Sequence, residues 1–485
     1  MDPKYFLGIT GFGGYVPRLR MQRSCIAAAH KWMAPSLRGL AKGQRAFCNW
    51  DEDPITMAVE AARDALGNRP RDCIQSLTLA STTLPFADLQ SSAFVAAGLN
   101  LNDTVRTLDI GYSQRASTSG LIGAFQQQGD SLFIVSEQPP GKPASAQEIS
   151  NGAGAAAFTL GTDNILAEII SVSSKTALFT DHFRAADADY DYHWEERWVR
   201  DEGYLKLLSS TIKSALTKAN IDPGAVDHFI LASPLRGSAA AVIRNLGIKQ
   251  EAEANPLTEN CGYTGTAHGL LMLAHTLEIA SANKIIVIAS FGQGGDVLVL
   301  RTTTAITSFK PRRGVNAALV DAQHHEDYLR MLSYRGNIDL EWGMRAEKQV
   351  KTAFTEQYRS SDQLSAFTAG KCGTCSTIQF PQLPYCVNPS CHSPRANFSP
   401  YPLFDEPASV LTYTADALSY HPAPPLYVGF VQFENGARLL MEMTDVGSSG
   451  LEVGTPLRMA FRIKDTDTTR GYPRYFWKAV PINGN

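Results

Sequence analysis

Long apolar runs are missing from this 485-residue chain: no stretch approaches the roughly 18–20 consecutive apolar residues of a membrane-spanning helix. Excess positive charge is missing too. The chain carries 44 Lys and Arg against 47 Asp and Glu, a net charge of −3 at pH 7, so the basic footprint that nucleic-acid binding requires is absent. The opening residues, Met1-Asp2-Pro3-Lys4, lack the shape of a secretory signal. These absences predict a soluble, cytoplasmic protein with no membrane or nucleic-acid partner. Charged residues are scarce at 19%, while 44% of residues are apolar, enough to bury a large core. Cysteine is thin over the first 300 residues, where Cys25, Cys48, Cys73 and Cys261 are scattered, whereas Cys372, Cys375, Cys386 and Cys391 crowd into 20. In a reducing compartment such clustering points to metal and such scatter to free thiols.

What is present first shows as an internal repeat. Ala65-Leu66, a polar turn with Pro70, and the run Leu77-Thr78-Leu79-Ala80-Ser81 are echoed by Ala215-Leu216, a turn with Pro223, and Phe229-Ile230-Leu231-Ala232-Ser233. Each reads as a helix end followed by a buried strand. Asp53 and Pro54 make the N-cap and first turn of the first helix, and Leu205, Leu208, Ile212, Ala215 and Leu216 form the stripe of the second. Thr118 to Ala124 and Thr266 to Met272 both open small-residue helices. Leu132-Phe133-Ile134-Val135 and Ile285-Ile286-Val287-Ile288 are continuous apolar runs, the pattern of strands buried on both faces. Helices alternating with such strands predict an α/β fold with a mostly parallel sheet, repeated once.

The segment from Asp51 to Leu66 resembles the corresponding segment of hydroxymethylglutaryl-CoA synthases, archaeal ones especially. So do Asn151-Gly152-Ala153-Gly154-Ala155-Ala156-Ala157, Tyr263-Thr264-Gly265 and Ser290-Phe291-Gly292-Gln293-Gly294. The resemblance spans residues 5–345 and places that part in the thiolase superfamily. It implies a duplicated, five-layered αβαβα domain, a homodimer, and CoA or acyl-CoA as substrate.

Synthases of this family resemble one another at a cysteine nucleophile, a histidine, a glutamate and an asparagine. The cysteine lies after a strand, at the start of a buried helix; the matching stretch here, Asp109 to Gly120, puts Gln114 in its place. An amide is not acylated under these conditions, but it can donate a hydrogen bond to a carbonyl or enolate oxygen. A slip of one residue offers Ser113, with no visible activating base. Aligning on Pro234 puts Ala232 at the histidine position, with Ser233 between; the glutamate position falls at Thr82 and the asparagine position at Cys261. These four departures exclude the family's ordinary Claisen mechanism.

Two readings of the site follow. In the first, the pocket makes or breaks a C–C bond beside a thioester carbonyl without covalent capture, by retro-Claisen, retro-aldol or decarboxylation chemistry. Glutamine in place of cysteine resembles decarboxylating ketosynthases, and cysteine-less thiolase relatives with zinc-ribbon/OB partners include aldolases. The candidate catalytic residues are then Gln114, Tyr263 and Cys261, with Tyr263 also able to shuttle a proton, and the backbone around Gly292 to Gly294 adds donors; Tyr263 reads equally as a core tyrosine with its hydroxyl satisfied. In the second, the thiolase-like part is a non-catalytic scaffold or channelling subunit for a partner thiolase or hydratase. Cys261 reads either as a small buried hydrophobe or as a relocated nucleophile, which needs a depressed pKa. His268 reads as packed at a helix start or as catalytic. His182, Asp187, Asp189, Asp191, Glu195 and Glu196 lie in a polar, aromatic-rich loop from Thr180 to Tyr204, either a lid over the pocket or solvated surface.

Cys372-x2-Cys375, ten residues, then Cys386-x4-Cys391 is a tetrathiolate pattern. Two close pairs each present two sulfurs to one ion; tetrahedral sulfur ligation selects zinc, and with all four positions filled the site is structural, the alternative being that the cysteines pair as disulfides. Before it, Leu340 to Ala366 reads as a charged linker helix. After it, Tyr427 to Phe433, the turn Glu434-Asn435-Gly436, and Ala437 to Met443 read as a hairpin, with further strands at Leu457 to Ile463 and Tyr475 to Val480. A five-stranded barrel closes them economically. Ribbon and barrel together resemble the zinc-ribbon/OB-fold proteins that accompany thiolases. The expected organisation is two thiolase-like halves at 1–165 and 166–345, linker helix and rubredoxin-like zinc ribbon at 346–400, and OB-fold at 401–485. The substrates expected are acyl-CoA or β-keto and β-hydroxy acyl thioesters.

Overall fold

The apolar runs form strands with helices packed over them, as their lack of alternation predicts. The computed structural model describes residues 7–348 and 350–482. The chain divides into two units, Met1–Asn49 with Asp53–Ala96 and Leu101–Asn337, and Trp50–Glu52 with Ala97–Asn100 and Ile338–Asn485.

The first unit holds a nine-stranded sheet in which the repeat is visible strand by strand. From the middle outward, one half runs Gly8–Tyr15, Gly154–Gly161, Ser131–Glu137, Ser76–Ala80 and Arg106–Ile110. The other runs Ala167–Thr176, Gly294–Thr302, Ile285–Phe291 and His228–Leu231. In each half the first two junctions are antiparallel and the next is parallel. Among the described residues the sheet is therefore mixed, with five of its eight junctions antiparallel, and not mostly parallel as the buried apolar runs suggested. Such runs report burial on both faces, which a mixed sheet covered by helices also gives. Among the described residues the second half ends one strand earlier. Ile9 opposite Ala167 joins the halves into one sheet.

Helix Pro54–Leu66 is buried at every residue. Its start is fixed by a reciprocal capping box, with Asp53 accepting from the Thr56 amide and Thr56 from the Asp53 amide, both at 2.8 Å. The helix lies so close to the central strand that a Cβ on Gly13 would sit 2.4 Å from the Ala65 nitrogen, which only glycine allows. Its counterpart in the repeat is Ser209–Ala219, preceded by ten residues of π-helix, Val199–Leu208, in place of the single α-helix implied by the stripe from Leu205. Ala116–Phe125 and His268–Ile279 are the two central small-residue helices.

In the second unit the expected helix from Leu340 to Ala366 is broken. Only Met344–Ala346, Phe354–Arg359 and Ser361–Leu364 are helical among the described residues, and Gly343, at φ 71°, leaves helical geometry altogether. A three-stranded sheet of Ile378–Gln379, Thr368–Cys372 and Phe398–Pro402 carries the clustered cysteines. Ala408–Asp416, Leu426–Phe433, Arg438–Met443, Tyr472–Pro481 and Pro456–Asp467 close into a barrel in that order, including the expected hairpin. Arg462 and Lys478 are buried in this unit beside carboxylates: Arg462 meets Glu52 at 3.1 Å and Asp445 at 2.8 Å, and Lys478 meets Asp51 at 3.1 Å and Glu442 at 2.7 Å. No helix among the described residues is long and apolar enough to cross a membrane.

Candidate active site

Gln114 sits in the turn between strand Arg106–Ile110 and helix Ala116–Phe125, where a side chain is presented at the start of a buried helix. The second half of the repeat fixes it. Its carbonyl accepts from Thr266 Oγ1 at 2.9 Å and from Ser290 Oγ at 3.4 Å. The next residue, Arg115, donates to the Gly292 carbonyl at 2.6 Å and pairs with Asp296 at 3.1 Å. Buried Asp296 also accepts from Ser119 Oγ at 2.5 Å and Thr118 Oγ1 at 3.3 Å. This clamp holds the Gln114 turn against Gly292, whose added Cβ would lie 3.4 Å from Gln114 Cβ.

Gln114 and Tyr263 line one crevice together with Ser117, Ala232, Thr266 and Ser290. The space left in it is about that of a single water. Gln114 Oε1 is buried and has no hydrogen-bond partner. A half-turn of the amide would put an N–H at the same spot, so this side chain carries hydrogen-bonding capacity that nothing in the protein uses. Tyr263 stands with its ring centroid 5.1 Å from that of His268. Burial, reinforced by Tyr204 and the charges of Asp181, Glu137 and Asp191, pushes its hydroxyl well above the ordinary phenol value. It is therefore a neutral donor at physiological pH.

Cys261 is not brought into this lining. The thiol lies in the hydrophobic core, donates to the carbonyls of Leu257 and Gly262 at 3.4 Å each, and is pushed by burial up to about 11. That is the reverse of the activation a nucleophile requires. His268 donates from Nε2 to the Pro256 carbonyl at 2.7 Å and accepts the Thr264 amide at Nδ1 at 3.2 Å. Burial lowers its pKa to about 4, and it is a packed neutral residue. Ser113 Oγ accepts from the Arg115 amide at 3.2 Å.

Thr82, where the sequence reading expects the family's glutamate, is met by a carboxylate from the neighbouring strand. Glu137 is fully buried and accepts from Thr82 Oγ1 at 2.7 Å, Thr82 N at 2.8 Å and Ser81 Oγ at 3.2 Å. Burial raises its pKa and these donors oppose the rise. It also lies directly beside Gly265 of the crevice, where an added Cβ would stand 2.7 Å from Glu137 Cγ. The sequence hint was a lone acid closing the apolar run Leu132 to Val135.

The polar loop from Thr180 is in part a hairpin. His182–Phe183 pairs antiparallel with Tyr192–His193, and Arg184 at its tip pairs with Asp191 at 3.0 Å while donating to the Thr82 carbonyl at 2.6 Å. Asp187, Asp189, Glu195 and Glu196 are exposed, so the surface reading holds for those four, while His182 and Asp191 are half-buried.

In the second unit the sulfurs of Cys372, Cys375, Cys386 and Cys391 all lie within 4.8 Å of one another, Cys372 to Cys391 at 3.8 Å and Cys375 to Cys386 at 3.5 Å. A tetrahedral ion with sulfur bonds of about 2.3 Å separates its ligands by about 3.8 Å, close to the two short spacings of this cluster.

No family model matches the sequence. The chain is similar to the hydroxymethylglutaryl-CoA synthase of Aeropyrum pernix, 29% identical over 360 residues that make up 72% of this chain and 96% of that one. The enzyme of the same name from Methanobrevibacter smithii is 28% identical over 345 residues, 69% of this chain and all of its own length. These relatives are spanned almost end to end, so the rest of this chain lies beyond their length. Among solved structures, an HMG-CoA synthase complexed with CoA superposes with a TM-score of 0.60 at 15% identity, covering 72% of this chain and 94% of that one. The 3-oxoacyl-(acyl carrier protein) synthase III of Pseudomonas aeruginosa gives 0.54 at 19% identity, covering 61% and 98%. The fold of the first unit is thiolase-like, with HMG-CoA synthase-like sequence.

Proposed function

We propose that the chain is a CoA-dependent enzyme that makes or breaks a C–C bond beside a thioester carbonyl, holding its acyl group without covalent capture. The observation that carries this is Gln114: an amide with unspent hydrogen-bonding capacity, at the start of a buried helix and in the same crevice as a neutral tyrosine. An enolate oxygen formed next to a thioester needs such donors, and donors fixed beforehand lower the barrier because they need not reorganise. The similarity to HMG-CoA synthases, and the solved relative holding CoA, support CoA thioesters as the substrate class. The clamp from Arg115 to Gly292 and Asp296 keeps the donor in place. Cys261 serves the core in this reading.

The scaffold reading has one observation in its favour, the water-sized crevice: a reacting acyl group enters only if the lining side chains move. Incubation of the purified protein with CoA and a panel of β-keto and β-hydroxy acyl thioesters, with mass detection of products, separates the two. Turnover supports the enzyme. No turnover, with a co-purified thiolase or hydratase depending on this chain, supports the scaffold.

The four clustered cysteines are read as a structural tetrathiolate zinc site, and the barrel as an OB-fold, since its neighbouring strands Arg438–Met443 and Tyr472–Pro481 skip the strand between them as a Greek-key barrel requires. The site would hold one zinc per chain, measurable by elemental analysis. A homodimer, implied by the family resemblance, is testable by sedimentation.

A further inference from the structure

Besides Tyr263 and the buried Glu137, the titratable side chains of the hairpin formed by His182–Phe183 and Tyr192–His193 bear on proton transfer near the crevice. Along the hairpin, side chains alternate between faces. Phe183 and Tyr192 point outward and are 52% and 57% exposed. Their neighbours His182, His193, Arg184 and Asp191 occupy the other face and are all half-buried. Arg184 shows where that face looks, because it reaches the Thr82 carbonyl, and Thr82 in turn holds Glu137 beside Gly265 of the crevice.

On that face His182 Nδ1 bonds Asp181 Oδ2 at 2.9 Å, and its ring stacks on His193 at 5.5 Å between centroids. Two atoms of the group are buried with no hydrogen-bond partner, Asp181 Oδ1 and His193 Nε2. Solvated surface does not leave polar atoms in that condition.

We propose that the Asp181–His182 pair is the acid–base of this site, acting on β-hydroxyacyl CoA thioesters. The inference rests on the CoA-thioester reading above and names its substrate class. Asp181 holds Nδ1–H, which leaves Nε2 of His182 with the lone pair. Nε2 takes the proton of the β-hydroxyl. The O–H electron pair forms the new carbonyl as the Cα–Cβ bond breaks, and the pair from that bond moves onto Cα and the thioester oxygen. The resulting enolate oxygen accepts from the amide N–H of Gln114. The imidazolium then returns the same proton to Cα, giving an aldehyde or ketone and a shortened acyl thioester with no net proton change. The reverse sequence is an aldol addition. Asp181 and Asp191 sit close enough for their charges to act on the Tyr263 hydroxyl, as expected if the hairpin and the crevice form one site.

Burial is the largest influence on His182 and opposes its charged form, as does Arg184. Asp181, by hydrogen bond and charge, and Asp191 favour it, and the stacked ring facing it, His193, is itself pushed toward the neutral form by burial. The net direction is upward from the ordinary histidine value. The neutral form is the base, so kcat/KM falls as pH drops through that raised value. The test uses the full-length protein with β-hydroxyacyl- and β-ketoacyl-CoA panels, product detection by mass, and deuterium incorporation at Cα from D2O. His182→Ala and His182→Gln should lower kcat on β-hydroxyacyl thioesters by about 10²–10⁴-fold, leave KM within a few-fold, and abolish the acidic limb of the pH profile. Asp181→Asn, a change at the positioning residue, should move that limb toward lower pH. If wild type cleaves a β-hydroxyacyl thioester and both His182 variants keep its rate and pH profile, the assignment to His182 is overturned while the CoA-thioester reading survives. Turnover of β-ketoacyl thioesters alone overturns the substrate class. No turnover of any thioester overturns both.

Discussion

At Gln114 a buried amide oxygen goes unpaired while the main chain of the same residue is held from two sides. Natural proteins seldom leave such an atom unsatisfied without a use for it. Replacing Gln114 with Ala is expected to lower turnover by about 10²-fold or more while leaving the fold intact, since an oxyanion donor of this kind is worth that much; a silent change would speak for the scaffold. His268 gives a stability prediction. Its pKa is about 4 when folded against an ordinary 6.5. Between those values the unfolded chain binds a proton that the folded one does not, so stability falls as pH drops from 6.5 toward 4, by on the order of 2–3 kcal/mol. Urea unfolding at pH 7 and 4.5 measures this, and His268→Gln, which cannot titrate, should lose that share of the difference. That Gln114 and Tyr263 share a crevice, and that the four cysteines draw together, was legible from local motifs and spacing. Glu137 was not, because its role depends on Thr82 lying one strand away in the sheet and 55 positions earlier in the chain.

At the scale of elements, the buried strands and the cap of Pro54–Leu66 follow from short patterns: apolar runs without alternation, and Asp-Pro ahead of a helix. Elements whose form depends on distant partners were misread. The segment 340–366 has helix-favouring residues but lacks a continuous apolar stripe, and Gly343 interrupts it. The π-helical turns of Val199–Leu208 leave no mark in spacing, because their burial is shared with Phe291 and Phe179 from elsewhere in the unit. The hairpin at His182–His193 was hidden among acidic residues that are in fact exposed. For the cysteine-bearing sheet the metal is expected to stabilise the fold directly. Chelation should raise protease sensitivity and amide exchange within Thr368–Pro402 while the nine-stranded sheet keeps its protection. Uniform protection with and without chelator would show that the four sulfurs hold no structural ion.

At the scale of the whole molecule, the chain combines a thiolase-like unit, similar in sequence to HMG-CoA synthases over 69–72% of its length, with a second unit of cysteine-bearing sheet and closed barrel. The first unit keeps the sheet order of a duplicated α/β domain, and the proposed reading puts the Gln114 carboxamide where the relatives carry a cysteine. The thiol nearest in sequence to Tyr263, Cys261, is locked in the core and protonated. In the function proposed above, chemistry on a thioester proceeds with the acyl group still attached to CoA. The most direct measurement is intact-protein mass spectrometry on acid-quenched mixtures of the protein with acyl-CoA thioesters during turnover. An unmodified protein mass alongside accumulating small-molecule products is the predicted result; an acyl adduct that maps to a cysteine of the first unit, Cys261 included, would contradict it.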